Sequence, residues 1–156
     1  INFVCTDNFG RSVIAEYCLR NFCEQNNINN LDVISSGIYA SSDTSKFSLA
    51  DYEGQKTEID AVEHIRTQLE DSLVKMLNII ISMDTSHQKI IKDRYYLTSP
   101  LFNEILESKH SSIIIHNKER NFNLDQRMRN VTKSIHDCMP VFFRNLLSFL
   151  ENARKN

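Results

Sequence analysis

Cys5 and Arg11 stand six positions apart, with Ser12 directly after the arginine, and these residue types suit covalent chemistry on an anionic substrate. Between them, Thr6, Asp7, Asn8, Phe9 and Gly10 read as a tight loop. Ile1 to Val4 reads as a short buried strand, and from Ser12 to about Glu24 the residues Val13, Ile14, Tyr17, Cys18 and Phe22 recur at helical spacing. A strand, a loop and a helix start in that order turn backbone N–H groups and the helix dipole toward one point, which makes an anion site. The same field favours thiolate over thiol, and the thiolate is the nucleophile. Arg11 can hold two phosphate oxygens through its planar fork, while the Ser12 hydroxyl can donate to the thiolate or to a leaving group. The predicted chemistry is cysteine-dependent cleavage of a phosphate ester, with Thr6 through Ser12 lining the anion site. A competing reading makes Cys5 a buried strand-end residue and Arg11 a solvated helix cap. A cysteine and arginine at this spacing arise by chance in roughly one such chain in four, so the weight rests on the flanking strand and helix.

The remaining pattern must supply a frame for that loop. Asn26 to Asn30 is a turn-rich break, followed by a strand from Leu31 to Ile38. Residues 40–58 are polar, with Ser41 to Ser45 reading as loop, and a helical pattern resumes from Ile59 to Met76. Leu77 to Met83 is an apolar run of strand length, as expected for a parallel strand covered on both faces. Thr85 to Tyr95 reads as a helix that buries Ile90 and Ile91, Ser99-Pro100 as a helix start, and Ser112 to His116 as a fourth strand. Asp137 reads as the N-cap of a closing helix with Pro140 in its first turn, which leaves Asp125 in the loop before it. The expected architecture is α/β: one domain over residues 1–156, with a doubly wound four-stranded parallel sheet and the phosphate loop after the first strand. In such sheets ligands bind at the carboxyl ends of the strands, where the Cys5 loop lies.

Phe3-Val4-Cys5-Thr6-Asp7-Asn8-Phe9-Gly10-Arg11-Ser12, with Ala15-Glu16 following, resembles the amino-terminal signature of the low-molecular-weight protein tyrosine phosphatases. Val33 to Gly37 resembles that family's second strand, and the stretch from Gln68-Leu69 through Ile79 to Asp84 is similar to the helix and third strand after its substrate-side loop. The resemblance spans nearly the whole chain and is sharpest at residues 3–16 and 79–84. It implies a phosphocysteine intermediate on Cys5, phosphate held by Arg11 and the loop, and Asp125 as the general acid that protonates a poor leaving oxygen. Asp137 is the alternative acid. In the family a proline and then an aromatic residue follow the acid, whereas Gln126-Arg127-Met128 follow Asp125. The resemblance also implies that Asn8 braces the loop through its amide, supported by Ser35 and His64. Phe9 would form a pocket wall and Tyr39 an aromatic edge, though each fits a core position equally well.

Two departures bear on activity. Asp7 stands where the family usually has glycine, and a carboxylate near the anion costs a few kcal/mol per unit charge at an effective dielectric of about 20. Together with the missing proline after Asp125, that motivates a second reading, a catalytically weakened phosphate- or phosphopeptide-binding module. Gly10 stands where many members have a second cysteine, so no disulfide partner is expected for an oxidised Cys5. The arsenate reductases that share the fold need further cysteines on a mobile loop, and none follows Met83-Asp84 before Cys138.

Composition excludes other classes. The net charge of −2 and the absence of a basic run argue against nucleic-acid binding. The longest apolar stretch, Leu77 to Ser82, is far too short to span a bilayer. No signal-peptide pattern opens the chain, so the expected compartment is the cytoplasm. Cys5, Cys18, Cys23 and Cys138 lack metal-ligand spacing. Cys18 and Cys23, five apart on one predicted helix, suit core positions better than a disulfide. No metal or organic cofactor is implied, and the expected partner is a phosphorylated protein or a small aryl phosphate.

Overall fold

The computed structural model describes residues 1–41, 44–47, 62–113 and 124–153. At its centre lie three parallel strands, β1 (Asn2–Cys5), β2 (Ile34–Gly37) and β5 (Ile80–Ser82), in the order β2-β1-β5. Phe3 pairs in register with Ser35 on one side and Ile81 on the other. Period-two alternation then sorts the side chains between two cores. Phe3, Cys5, Ile81 and Met83 face one side, where α1 (Arg11–Gln25), α4 (Phe102–Glu107) and α5 (Leu124–Ala153) bring Ile14, Leu19, Phe102 and Phe142. Val4 and Ile80 face the other, covered by Leu69 and by Ile91 of α3 (Thr85–Tyr95). Helices on both faces of a parallel sheet make the expected doubly wound α/β arrangement. Phe102 and Phe142 stack at 4.1 Å between ring centroids, fixing α4 against α5 under the sheet.

The expected fourth strand, 112–116, falls mostly outside the described residues; within it, the Ile113 N–H donates to the Met83 carbonyl at 3.1 Å. Other expectations need correction. Ile59 to Met76 does not form one helix: β4 (Val62–Ile65) pairs antiparallel with β3 (Thr44–Phe47), and among the described residues of that stretch only α2 (Asp71–Val74) is helical. Apolar residues at 59, 62, 65 and 69 imitate a helical period, but the chain from Thr67 to Leu69 is drawn out along β2 by hydrogen bonds on both sides of Gly37. β3 likewise replaces part of the expected loop at 41–45. The helix placed at Ser99-Pro100 starts at Phe102, because the Ser99 hydroxyl is spent on Ser82 Oγ at 2.8 Å. Glu104 supplies the capping contact instead, accepting the Leu101 N–H at 2.6 Å. Asp137 is no N-cap and Pro140 is not in a first turn, since both lie well inside α5. α5 buries Met128, Val131, Ile135, Met139, Phe142 and Leu146 along one stripe, and that apolar face outweighs the missing N–H at Pro140. Asp125 therefore sits in the first turn of α5 rather than in a preceding loop.

Candidate active site

The loop from Thr6 to Gly10 leaves the carboxyl end of β1, and α1 begins at Arg11, so backbone N–H groups and a helix N-terminus meet above Cys5. β2 holds the loop from one side. The Ile38 N–H donates to the Cys5 carbonyl at 3.0 Å, and the Tyr39 N–H donates to the Thr6 carbonyl at 2.7 Å. Between these two strands the backbones come so close that a Cβ on Gly37 would lie 2.8 Å from Asn8 N and 2.9 Å from Thr6 O. Only glycine fits that approach.

Asn8 is the keystone of the loop. It is fully buried and left-handed, with φ 52°, a conformation that asparagine tolerates better than most residues. All four hydrogen-bonding positions of its amide are filled. Nδ2 donates to Ser35 Oγ at 2.7 Å and to Ser12 Oγ at 3.3 Å. Oδ1 accepts from Thr67 N at 2.7 Å and lies 3.0 Å from His64 Nε2. Because Oδ1 can only accept, His64 Nε2 carries the proton, and Nδ1 accepts from the Tyr17 hydroxyl at 3.4 Å. His64 stays neutral: burial pushes its pKa down, helped by the charges of Arg20 and Arg66. Ser35 in turn donates to Glu16 Oε2 at 2.6 Å. Burial pushes the Glu16 carboxyl up, opposed by Ser35 and by Arg20, which lies 3.0 Å away.

These directions fix the last one. Ser12 Oγ accepts from Asn8, so its own hydroxyl hydrogen is free for Cys5 Sγ, 2.9 Å away. The chain of donors thus ends on the sulfur, in a setting where Cys5 is 2% exposed and Ser12 fully buried. At the other end of the loop, Arg11 Nη1 donates to Asp84 Oδ2 at 3.2 Å and to the Ile113 carbonyl at 3.0 Å. Burial opposes ionisation of Asp84, but the Ser86 N–H and hydroxyl together with Arg11 hold its carboxyl at about 2.

The structure thus brings together Cys5, Asn8, Arg11, Ser12, Ser35 and His64. Thr6 and Asp7 are solvent-exposed and Phe9 and Gly10 half-buried around them. The Arg66 guanidinium lies over the Phe9 ring at 4.7 Å, and that of Arg94 over exposed Tyr39 at 5.6 Å. Gly10 packs against Met128 of α5, whose Cε would lie 3.4 Å from a Cβ there. Asp125 precedes Met128 by three residues in the same helix. Asp137 is separated from the site: it lies roughly 13 Å farther along the helix than Met128, exposed and paired with Lys133 at 3.2 Å. Glu16, Tyr17, Thr67 and Asp84 join the site without having been singled out from sequence. The spacing of Glu16 four residues before Arg20 was the available signal for one of them. Cys18 and Cys23 are buried free thiols in the core, as expected. Among the described residues no helix is long and apolar enough to cross a membrane, and no cluster of three or more histidine, cysteine or acidic side chains could hold a metal.

Comparison with known proteins places this geometry. The chain is 25% identical over 147 residues to a protein-arginine-phosphatase of Bacillus subtilis, which covers 86% of this chain and 95% of that protein. Its fold matches the solution structure of a low molecular weight protein tyrosine phosphatase from Bacillus subtilis, with a TM-score of 0.74 at 21% identity over 94% of this chain and 96% of that one. It also matches the tyrosine phosphatase Wzb from Escherichia coli K30, solved with sulphate, with a TM-score of 0.69 at 19% identity over 93% and 96% of the two chains. Residues 1–111 match the family model of the low molecular weight phosphotyrosine protein phosphatases, and the chain belongs to that family.

Proposed function

We propose that this phosphatase hydrolyses phosphotyrosyl proteins, or small aryl phosphates in their place, through a phosphocysteine intermediate. The observation that carries this reading is the directed chain of hydrogen bonds that ends on Cys5 Sγ through Ser12. In the first step the sulfur attacks phosphorus, and the P–O bond to the phenol breaks as the S–P bond forms. Arg11 and the loop N–H groups hold the equatorial oxygens, while Asp125 gives its proton to the leaving oxygen. Water then attacks phosphorus and Asp125 takes back a proton. The S–P bond breaks, inorganic phosphate leaves, and the sulfur returns to the Ser12 hydroxyl.

Support for Asp125 comes from its position in the first turn of α5, three residues before Met128, which packs on the loop at Gly10. Ionised Asp84 supports Arg11 by orienting its fork. The aryl preference rests on Phe9 and Tyr39, whose rings suit a phenyl group. Each already carries an arginine guanidinium, so the cationic guanidinium of a phosphoarginyl residue would meet like charge there. Asp7 is exposed, and water screens its carboxylate from the anion, which favours turnover over the weakened binding module. A cytoplasmic location is consistent with four free thiols.

The test is phosphate release from matched phosphotyrosyl and phosphoarginyl peptides. The parent is expected to prefer phosphotyrosyl peptide, Cys5→Ser to release no phosphate, and Asp125→Asn to lower kcat by about a hundredfold. Preference for the phosphoarginyl peptide would overturn the substrate assignment. Turnover that survives Cys5→Ser would overturn the mechanism.

A further inference from the structure

The phosphate loop is gripped at both ends by the first turn of α3. Asp84 caps that helix with Oδ1, which accepts the Ser86 N–H at 2.8 Å, and turns Oδ2 toward Arg11 at the far end of the loop. His87 lies one turn further in, is 2% exposed, and sets Nε2 3.0 Å from the hydroxyl of Thr6 at the near end. Its other nitrogen, Nδ1, is buried with no partner among the described residues. A buried N–H without an acceptor is costlier than a buried lone pair, so the single proton of the neutral ring belongs on Nε2, and the imidazole donates to Thr6 Oγ1. The ring is neutral because burial and the charge of Arg11 push its pKa down to about 4, against the opposing charges of Asp84 and Asp7.

We propose that His87 is a positioning residue for the phosphate loop, acting through the Thr6 hydroxyl. Thr6 is otherwise an exposed loop residue that, among the described residues, is held from the β2 side by the Tyr39 N–H on its carbonyl. The His87 bond supplies the opposite anchor and fixes the peptide from which the anion-binding N–H groups of the loop continue. α3 thereby sets the separation of the two loop ends, Thr6 through His87 and Arg11 through Asp84. This inference rests on the phosphoryl-binding reading of the loop.

The experiment uses p-nitrophenyl phosphate turnover and vanadate inhibition with Thr6→Val, Thr6→Ser, His87→Leu, His87→Gln and the Thr6→Val/His87→Leu pair. Thr6→Val keeps the shape of an exposed residue and is not expected to disturb folding. Loss of one preorganising hydrogen bond should lower kcat and vanadate affinity together by about tenfold in Thr6→Val and in His87→Leu, with KM little changed. The double variant should be no worse than either single one. Thr6→Ser and His87→Gln, which keep a hydroxyl and an N–H, should be several-fold more active than Thr6→Val and His87→Leu. Parental kcat and vanadate affinity in Thr6→Val, or losses that multiply in the double variant, would overturn the inference alone. A parent that neither turns over the ester nor binds vanadate would overturn the functional reading, and this inference with it.

Discussion

Four thiols share this chain, and their surroundings separate them. Cys5 faces the Ser12 hydroxyl at the head of α1, whereas burial pushes the Cys18 thiol up to about 12 and the Cys138 thiol up to about 11. Iodoacetate at mildly acidic pH is expected to modify Cys5 before Cys18, Cys23 or Cys138, and inorganic phosphate to slow that reaction alone; peptide mass spectrometry reads both. Equal labelling with no phosphate effect would remove the anion site. Arg11→Lys keeps the charge but loses the fork that Asp84 and Ile113 hold in place. It should cost on the order of a hundredfold in kcat/KM, and near-parental turnover would show that the fork does not grip phosphate. Asp7 is the residue whose type alone argues against an anion site. Because its carboxylate stands in water, Asp7→Asn should tighten vanadate binding by no more than about threefold. A gain of tenfold or more would show that its charge does reach the anion.

At the scale of elements, β2 and β4 matter through what they bring to the loop. β2 contributes Ser35 and the close approach at Gly37, and β4 delivers His64 to Asn8 Oδ1. Gly37→Ala is therefore a stringent probe. Its Cβ would fall 2.8 to 3.0 Å from three backbone atoms of the loop, Asn8 N, Thr6 O and Asp7 C, and backbone cannot yield as a flexible side chain does. The variant is expected to lose at least tenfold in vanadate affinity while α5 and the aromatic stack of Phe102 on Phe142 keep the far-ultraviolet dichroism near parental. Unchanged vanadate affinity would mean that the loop is not held against β2 in solution.

The whole molecule carries its site as a set of buried, uncharged or paired groups, and this makes its stability depend on pH. His87 is neutral in the folded chain down to about 4, while an unfolded histidine takes up a proton near its ordinary value of 6.5. Between those values the unfolded state binds more protons, so stability is complete above about pH 6.5 and falls as the pH drops toward 4. A shift of that size corresponds to about 3 kcal/mol. His64 contributes in the same direction, since burial pushes it down as well, whereas Glu16, which burial pushes up, opposes both. Asp84, held at about 2, adds stability that persists through this window and is lost only below its unfolded value of 3.8. Urea unfolding at pH 7, 6, 5 and 4 should show a falling midpoint, with a shallower fall in His87→Leu. A fall equally steep in the variant and the parent would show that His87 is charged or exposed in the folded state.

The sequence alone determined what local pattern can encode. The short buried strand before Cys5, the Cys5–Arg11 spacing and the helix from Thr85 to Tyr95 depend on near neighbours, and each was legible along the chain. It also identified Asn8, Ser35 and His64 through family resemblance, but not their geometry. Tertiary structure decided where contacts between distant segments override local period. The helical spacing around Val62 to Leu69 yielded to strand pairing with β3 and to extended hydrogen bonds at Gly37. A continuous apolar stripe carried α5 through Pro140, far upstream of Asp137. The partners that complete the site, Glu16 for Ser35, Thr67 for Asn8, Asp84 for Arg11 and His87 for Thr6, could not be read as pairs from sequence. A buried hydrogen bond between residues tens of positions apart leaves no periodic trace; it exists only because the crossovers of a parallel sheet bring the carboxyl ends of β1, β2 and β5 to one edge.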